Sequence, residues 1–582
     1  MRRKLKIIGR LCVLALCVVS VFFLYVKVVR GGFYPVYPAA DFTNLSAPGA
    51  DRHVEGDLIA QTEAGKLKGT PVESAVAFMG IPFARPPVGE LRWEAPQPTI
   101  PWTGVRDATR PGPACTQVPA GLGVFLGPMA KTYGSTYTEP PPQSSEDCLY
   151  LNVWTREWPP KHNLPVMVWL HGGANEVGSG SQSMFSGVSL TARGVVLVTT
   201  NYRLGALGFF SHPELSARSP HHSSGNYGLL DQIAALRWVH DNIAQFGGDP
   251  QNVTLFGESA GAIDSAVLMT SPLAAGLFRR VISQSGPVFA PHQTLSQAEA
   301  VGKSVAELAP GEAHTTPLER LRALPAAEVA KLAEPFKIPF AQSFTVDGWV
   351  LPQSPQTVFL NGSIHKVDLL IGHNGREFSG LRVMDAATPQ SPGKQRDDFP
   401  TMLKMFVDFA RPCFGNWAKP VVALYIGDML ARRNTGVDRA FSDLGFVCPI
   451  SATAALTSAA GQRVYVYRFD RSVPGKGEEE LGAFHSLEVP LVFGALHDPI
   501  WHWVPFTPED AALSNLVQTY WTNFAKSGDP NAQGLPSWPA WTDSKKEFLE
   551  IRKDARISAQ RNIQPLFSSV SVDDLRGRIS RD

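Results

Sequence analysis

The stretch Gln251-Asn-Val-Thr-Leu-Phe-Gly-Glu-Ser-Ala-Gly-Ala262 decides how the rest of this chain is read. Val253–Phe256 is a short apolar run with β-branched residues, which predicts a buried strand. Gly257-Glu258-Ser259-Ala260-Gly261 fits G-x-S-x-G, and the apolar run Ala262–Met269 predicts a helix leaving it. Such a strand–turn–helix forces the central serine into a strained conformation at the carboxyl edge of a sheet. Glycines two residues to either side are needed because side chains there would strike the neighbouring strand and helix. The Ala260 amide would lie at a helix N-terminus, where partial positive charge favours an oxyanion.

Outward from this turn, strands and helices alternate. Pro165–Leu170 and Val195–Thr200 read as buried strands, and Leu230–Phe246 carries apolar residues at helical spacing and stops at Gly247-Gly248. Further strands are expected at Arg280–Gln284, Val367–Ile371 and Val464–Phe469. This alternation implies a largely parallel sheet with right-handed crossovers. Gly65–Thr70 and Ala75–Pro82 read as paired edge strands, and residues 295–345 as a helical insertion near the pocket mouth.

A serine hydroxyl is a weak nucleophile until a histidine takes its proton, and a buried carboxylate must hold that histidine's tautomer. In sheets of this type the chain order is Ser, Asp/Glu, His, each after a strand. Glu377 follows Leu369-Leu-Ile371 and His485 follows Tyr465–Phe469, both in loop positions. His373 competes for the base role, and Arg376 could turn Glu377 into an ordinary ion pair. His171-Gly172-Gly173-Ala174, directly after a strand, supplies small residues whose amides can approach a developing oxyanion.

Lys+Arg 53 against Asp+Glu 52 leaves a net charge of +1, so nothing argues for nucleic acid. No linker, repeat or charge block divides the chain after residue 55, so one large domain is expected despite 582 residues. No cofactor or metal is expected. The first ten residues are basic, and Ile7–Val29, with Arg10 and Lys27 snorkelling, is about 23 residues, enough to span a bilayer of roughly 30 Å. Five basic residues precede the apolar stretch Leu11–Val26 and only Lys27 and Arg30 follow closely, which puts Met1 in the cytoplasm. The expected order is a cytoplasmic tail (1–10), a signal anchor (11–29), a stem (30–55), the domain (56–565) and a C-terminal tail (566–582). Cleavage as a signal peptide near Ala40 is the alternative.

Cys12 and Cys17 lie in the apolar run. The other four cysteines allow three pairings; Cys115–Cys148 and Cys413–Cys448, neighbours in sequence, are expected over four reduced thiols. Asn44, Asn252 and Asn361 head glycosylation sequons, with Asn252 expected to be inaccessible.

Ser145-Glu-Asp-Cys-Leu-Tyr-Leu-Asn-Val153, Asn201-Tyr-Arg-Leu-Gly205 and Gly247-Gly-Asp-Pro-Gln-Asn-Val-Thr-Leu-Phe-Gly-Glu-Ser-Ala-Gly261 resemble the type-B carboxylesterase/cholinesterase family of α/β-hydrolases, from about Gly65 to Asn531. The resemblance implies an α/β-hydrolase fold: a large, mostly parallel sheet flanked by helices, with insertions over the active site. It implies Ser259 as nucleophile, Glu377 as acid and His485 as base of a serine esterase. The oxyanion amides would be Gly173, Ala174 and Ala260. It also matches Cys115 and Cys148 to the family's first disulfide loop, pairs Glu146 with Arg203, and turns Glu258 toward the pocket. Cholinesterases carry a tryptophan for quaternary ammonium in that loop, but residues 116–147 hold only Phe125, Tyr133 and Tyr137 as aromatics. Choline esters are therefore not expected. The alternative function is a cell-surface binding or adhesion protein on the same fold, but such members lost the serine that this chain keeps.

Overall fold

A computed structural model of the chain describes residues 53–559 apart from 120, 290–291, 313, 337–343, 388–398, 432 and 554. The expected anchor, the stem before residue 53, Asn44 and the C-terminal tail lie outside the described residues.

The central sheet has eleven strands. In chain order they are β1 (Thr70–Val72), β2 (Ala75–Pro82), β3 (Tyr150–Thr155), β4 (Leu164–Leu170), β5 (Val196–Thr200), β6 (Gly248–Glu258), β7 (Arg280–Gln284), β8 (Asp368–Asn374), β9 (Val464–Phe469), β10 (Glu547–Ile551) and β11 (Ala555–Ala559). Across the sheet they run β1-β2-β3-β5-β4-β6-β7-β8-β9-β10-β11. The pairings from β5 to β10 are parallel, and the antiparallel ones sit at the two ends. This is the mostly parallel α/β-hydrolase sheet that the sequence led us to expect.

Alternation along β4 builds two cores. Val166, Val168 and Leu170 face one apolar cluster together with Val267 and Leu268, while Met167 and Trp169 face a second with Val517, Trp521 and Phe524. Each buried face is thus covered by a helix: α1 (Ala260–Leu268) on one side, α2 (Pro508–Ser527) on the other. The helix expected from Leu230 begins earlier, at Tyr227, and its final 3₁₀ turn stops at Gly247, whose φ of 82° only glycine adopts easily.

Two expectations need correcting. Lys66–Lys68 does not pair with Ala75–Pro82; it joins Ile59–Gln61 and Val105–Asp107 in a separate three-stranded sheet. The chain breaks at Gly69, whose amide bonds Leu58, so Thr70–Val72 becomes the true hairpin partner of β2. Arg203 does not pair with Glu146. It forms a fully buried pair with Asp231 (2.8 Å), and Glu146 instead takes Arg92 through two contacts of 2.7 and 2.5 Å.

Both expected disulfides form, with Cα–Cα distances of 4.9 Å for Cys115–Cys148 and 6.2 Å for Cys413–Cys448. Such bonds persist in oxidising, extracytoplasmic compartments. Among the described residues, one helical stretch, Thr435–Ala459, is long and apolar enough to cross a bilayer, and most of it is buried in the domain. Asn361 is exposed at a helix end, whereas the Asn252 side chain is tied to Arg280 and the Lys526 carbonyl.

Candidate active site

Strand β6 ends at Glu258 and helix α1 starts at Ala260, leaving Ser259 as the pivot with φ 54°, ψ −123°. A non-glycine residue there is strained by roughly 1–3 kcal/mol. The two glycines are needed for space. A Cβ on Gly261 would stand 2.1 Å from the Leu170 carbonyl, and one on Gly257 would stand 2.5 Å from the Gly261 backbone. Because Leu170 pairs with Gly257 across β4 and β6, the His171–Ala174 loop leaves the sheet at the same edge as Ser259.

That loop is unusual. Gly173, Ala174 and Asn175 all have positive φ (106°, 58° and 58°). The amides of Glu176 and Val177 both donate back to the Gly173 carbonyl. Among the described residues, the Gly173, Ala174 and Ala260 amides donate to no protein acceptor, so three N–H groups remain available beside the serine.

Glu377 and His485 lie beyond the ends of β8 and β9, and a bridge between Arg376 and Phe484 zips their loops together. The result is a 2.6 Å contact between His485 Nδ1 and Glu377 Oε2. The other Glu377 oxygen accepts from Ser285 Oγ and from the Asn374 amide, each at 2.6 Å. With both oxygens occupied, the carboxylate is fixed. Arg376 does not compete for it: it pairs with Asp438 at 3.2 Å. His373 is buried with its Nδ1 against the Asn374 carbonyl, and burial pushes it down to about 4. It is a neutral core histidine.

His485 Nε2 lies 3.2 Å from Glu258 Oε1, which also accepts from Ser486 Oγ at 2.6 Å. No hydrogen bond joins it to Ser259 Oγ among the described residues. Burial works to lower the His485 pKa, but the carboxylates of Glu258 and then Glu377 outweigh it and lift it to about 9. A third carboxylate, Glu488, accepts from Asn374 Nδ2 (2.6 Å) and Gln284 Nε2 (3.2 Å). Burial and then the neighbouring Glu258 and Glu377 charges push Glu488 up to about 8. Sequence reading missed Ser285, Asn374, Ser486 and Glu488. Ser285, just past the end of β7, and Glu488, three residues after His485, occupy positions where a site-facing polar residue could have been sought. Among the described residues, no group of three or more His, Cys, Asp or Glu side chains could hold a metal ion.

One aromatic ring packs beside the base. Phe446 lies 5.4 Å from the His485 ring, in a π-helical segment, Ser442–Val447. In the loop closed by Cys115–Cys148, Tyr133 packs on Trp503 and Tyr137 on His502.

Residues 56–566 match the model of the carboxylesterase family. The chain belongs to that family. It is 36% identical over 509 residues to the para-nitrobenzyl esterase of Bacillus subtilis, covering 86% of this chain and 96% of the relative. The human cocaine esterase is 35% identical over 519 residues, covering 85% and 87% respectively. A solved structure of PNB esterase superposes with a TM-score of 0.73 at 34% identity, covering 87% of this chain and 98% of that one. The protein is a carboxylic ester hydrolase of the serine hydrolase type, not a binding protein without catalysis.

Proposed function

We propose that the esterase cleaves uncharged carboxylic esters through an acyl-enzyme formed on Ser259. His485 takes the Ser259 proton as the oxygen attacks the ester carbonyl, then hands it to the departing alcohol. It next removes a proton from water, which attacks the acyl-enzyme and releases the acid and the free serine. Glu377 holds the imidazole tautomer and stabilises its charged form. The amides of Gly173, Ala174 and Ala260 receive the negative oxygen of each tetrahedral intermediate. The observation that carries this reading is the 2.6 Å His485–Glu377 contact beside a serine at φ 54°. Forming the attacking pair requires His485 Nε2 to exchange Glu258 for Ser259 Oγ. Triad members act as one unit, so Ser259→Ala or His485→Ala should each lower kcat by about 10⁴- to 10⁶-fold, and the double variant hardly further. Near-normal turnover by Ser259→Ala would overturn the scheme.

The N-terminal run supports a second part of the reading: a single-pass anchor with the catalytic domain on the extracytoplasmic side, where the two disulfides persist. Protease added outside sealed vesicles should remove the domain and leave a short protected fragment. A mature N-terminus near Ala40 would instead establish cleavage.

A further inference from the structure

Asp264 breaks a rule of protein interiors. It is completely buried on helix α1, yet among the described residues no lysine or arginine pairs with it. Buried carboxylates normally need a cation or a metal. Asp264 has two amides instead: Asn175 Nδ2 donates to Oδ1 at 3.1 Å, and Gln232 Nε2 donates to Oδ2 at 2.6 Å. Both amides turn their N–H groups to the carboxylate at a cost, because Asn175 Oδ1 and Gln232 Oε1 are left buried without a donor among the described residues. Burial pushes the Asp264 carboxyl up to about 7, and the two amides hold it back. Polar arrangements this costly concentrate at functional sites.

The position of Asn175 supplies the reason. It is the last of the three left-handed residues that aim the Gly173 and Ala174 amides, and its own carbonyl accepts from the Gly205 amide at 2.6 Å. Asp264 lies one helical turn after Ala260, whose amide is the third donor. We infer that Asp264 is a positioning residue that locks the two halves of the oxyanion hole, the Gly173-Ala174 loop and the Ala260 helix end, into one rigid unit through Asn175. This rests on the proposed assignment of those three amides. Gln232, on the helix Tyr227–Asn242, steadies the carboxylate from behind.

A misaligned oxyanion hole loses affinity for the transition state while substrate binding is spared. Asp264→Ala and Asn175→Ala should therefore each lower kcat by about 10- to 100-fold with KM nearly unchanged, short of the roughly 100- to 1,000-fold cost of deleting a donor. Binding of a trifluoromethyl ketone, whose serine adduct carries the oxyanion, should weaken by the same factor as kcat/KM. The double variant should lose no more than the worse single one, since both break one link. Asp264→Asn should retain most activity. Its carbonyl can accept from Asn175, and its N–H₂ can reach the Gln232 oxygen that now lacks a donor. If Asp264→Ala does not fold, Asn175→Ala and Asp264→Asn decide the matter alone. The inference is overturned if Asn175→Ala keeps wild-type kcat, if Asp264→Asn falls as far as Asn175→Ala, or if the losses multiply. Ser259→Ala, measured alongside, separates the two readings: an inactive Ser259→Ala with an unaffected Asn175→Ala sinks only this inference, whereas an active Ser259→Ala sinks the acyl-enzyme scheme beneath it.

Discussion

Replacing Glu258 with glutamine removes one charge next to the base and keeps its shape. Glu258 Oε1 accepts from Ser486 Oγ at 2.6 Å, a bond that a glutamine carbonyl can also accept. Oε2 lies 2.6 Å from where a Cβ on Gly172 would stand, so the side chain is confined and glutamine has to adopt the same pose. At the 3.2 Å separation from His485 Nε2, two unit charges interact by about 5 kcal/mol at an effective dielectric of 20. That is an upper bound, and one neighbouring carboxylate typically moves a titrating group by about 1–3 units. The base works only when neutral, so kcat/KM should rise with pH through the His485 pKa, which lies at about 9. Glu258→Gln stops favouring the charged form, so the rising limb should move down by roughly 1–2 units. The assay is kcat/KM against pH on a p-nitrophenyl ester, corrected for spontaneous hydrolysis. A limb within about 0.3 units of wild type would refute the claim that Glu258 sets the charge state of the base.

Three other outcomes are expected. Gly261→Ala drives a Cβ to within 2.1 Å of the Leu170 carbonyl, at the root of the oxyanion loop; overpacking of this kind costs about 1–3 kcal/mol, so lower thermal stability and at least tenfold lower kcat should appear together. Replacing Cys115 and Cys148 by serine opens a loop of 33 residues, and denaturant melts under non-reducing conditions should show a loss of about 3–4 kcal/mol. A neutral thioester should be hydrolysed in preference to acetylthiocholine of equal acyl length, because the loop of residues 116–147 offers no tryptophan to a quaternary ammonium; equal rates would contradict this.

How far the sequence could be read followed from how local each determinant was. The turn at Ser259 was legible because glycine spacing, strand and helix follow one another directly between Gly248 and Leu268, and local sterics dictate all three. Glu377 and His485 could be found because strand ends deliver loops to one sheet edge, although 108 residues separate them. Partner choice was harder. Arg203 takes Asp231 because the Tyr227–Asn242 helix presents that carboxylate to the strand-end loop, a matter of packing that no spacing in the sequence reveals. Lys66–Lys68 was misassigned for a similar reason: a three-residue strand carries too little pattern to name its neighbour, and Gly69 could end one strand or turn a hairpin. The Asp264 cluster was invisible from sequence, since an aspartate inside an apolar helix acquires meaning only when Asn175 and Gln232 are brought to it.

The central claim is that Ser259 carries the acyl group. Rapid quenching in acid during turnover of a p-nitrophenyl ester, followed by peptide mass analysis, tests it directly. The peptide containing Ser259 should gain the mass of the acyl group, approaching one per chain when release is rate-limiting, and Ser259→Ala should show neither adduct nor p-nitrophenol burst. An acyl adduct on another residue, or a burst that survives Ser259→Ala, would contradict the account.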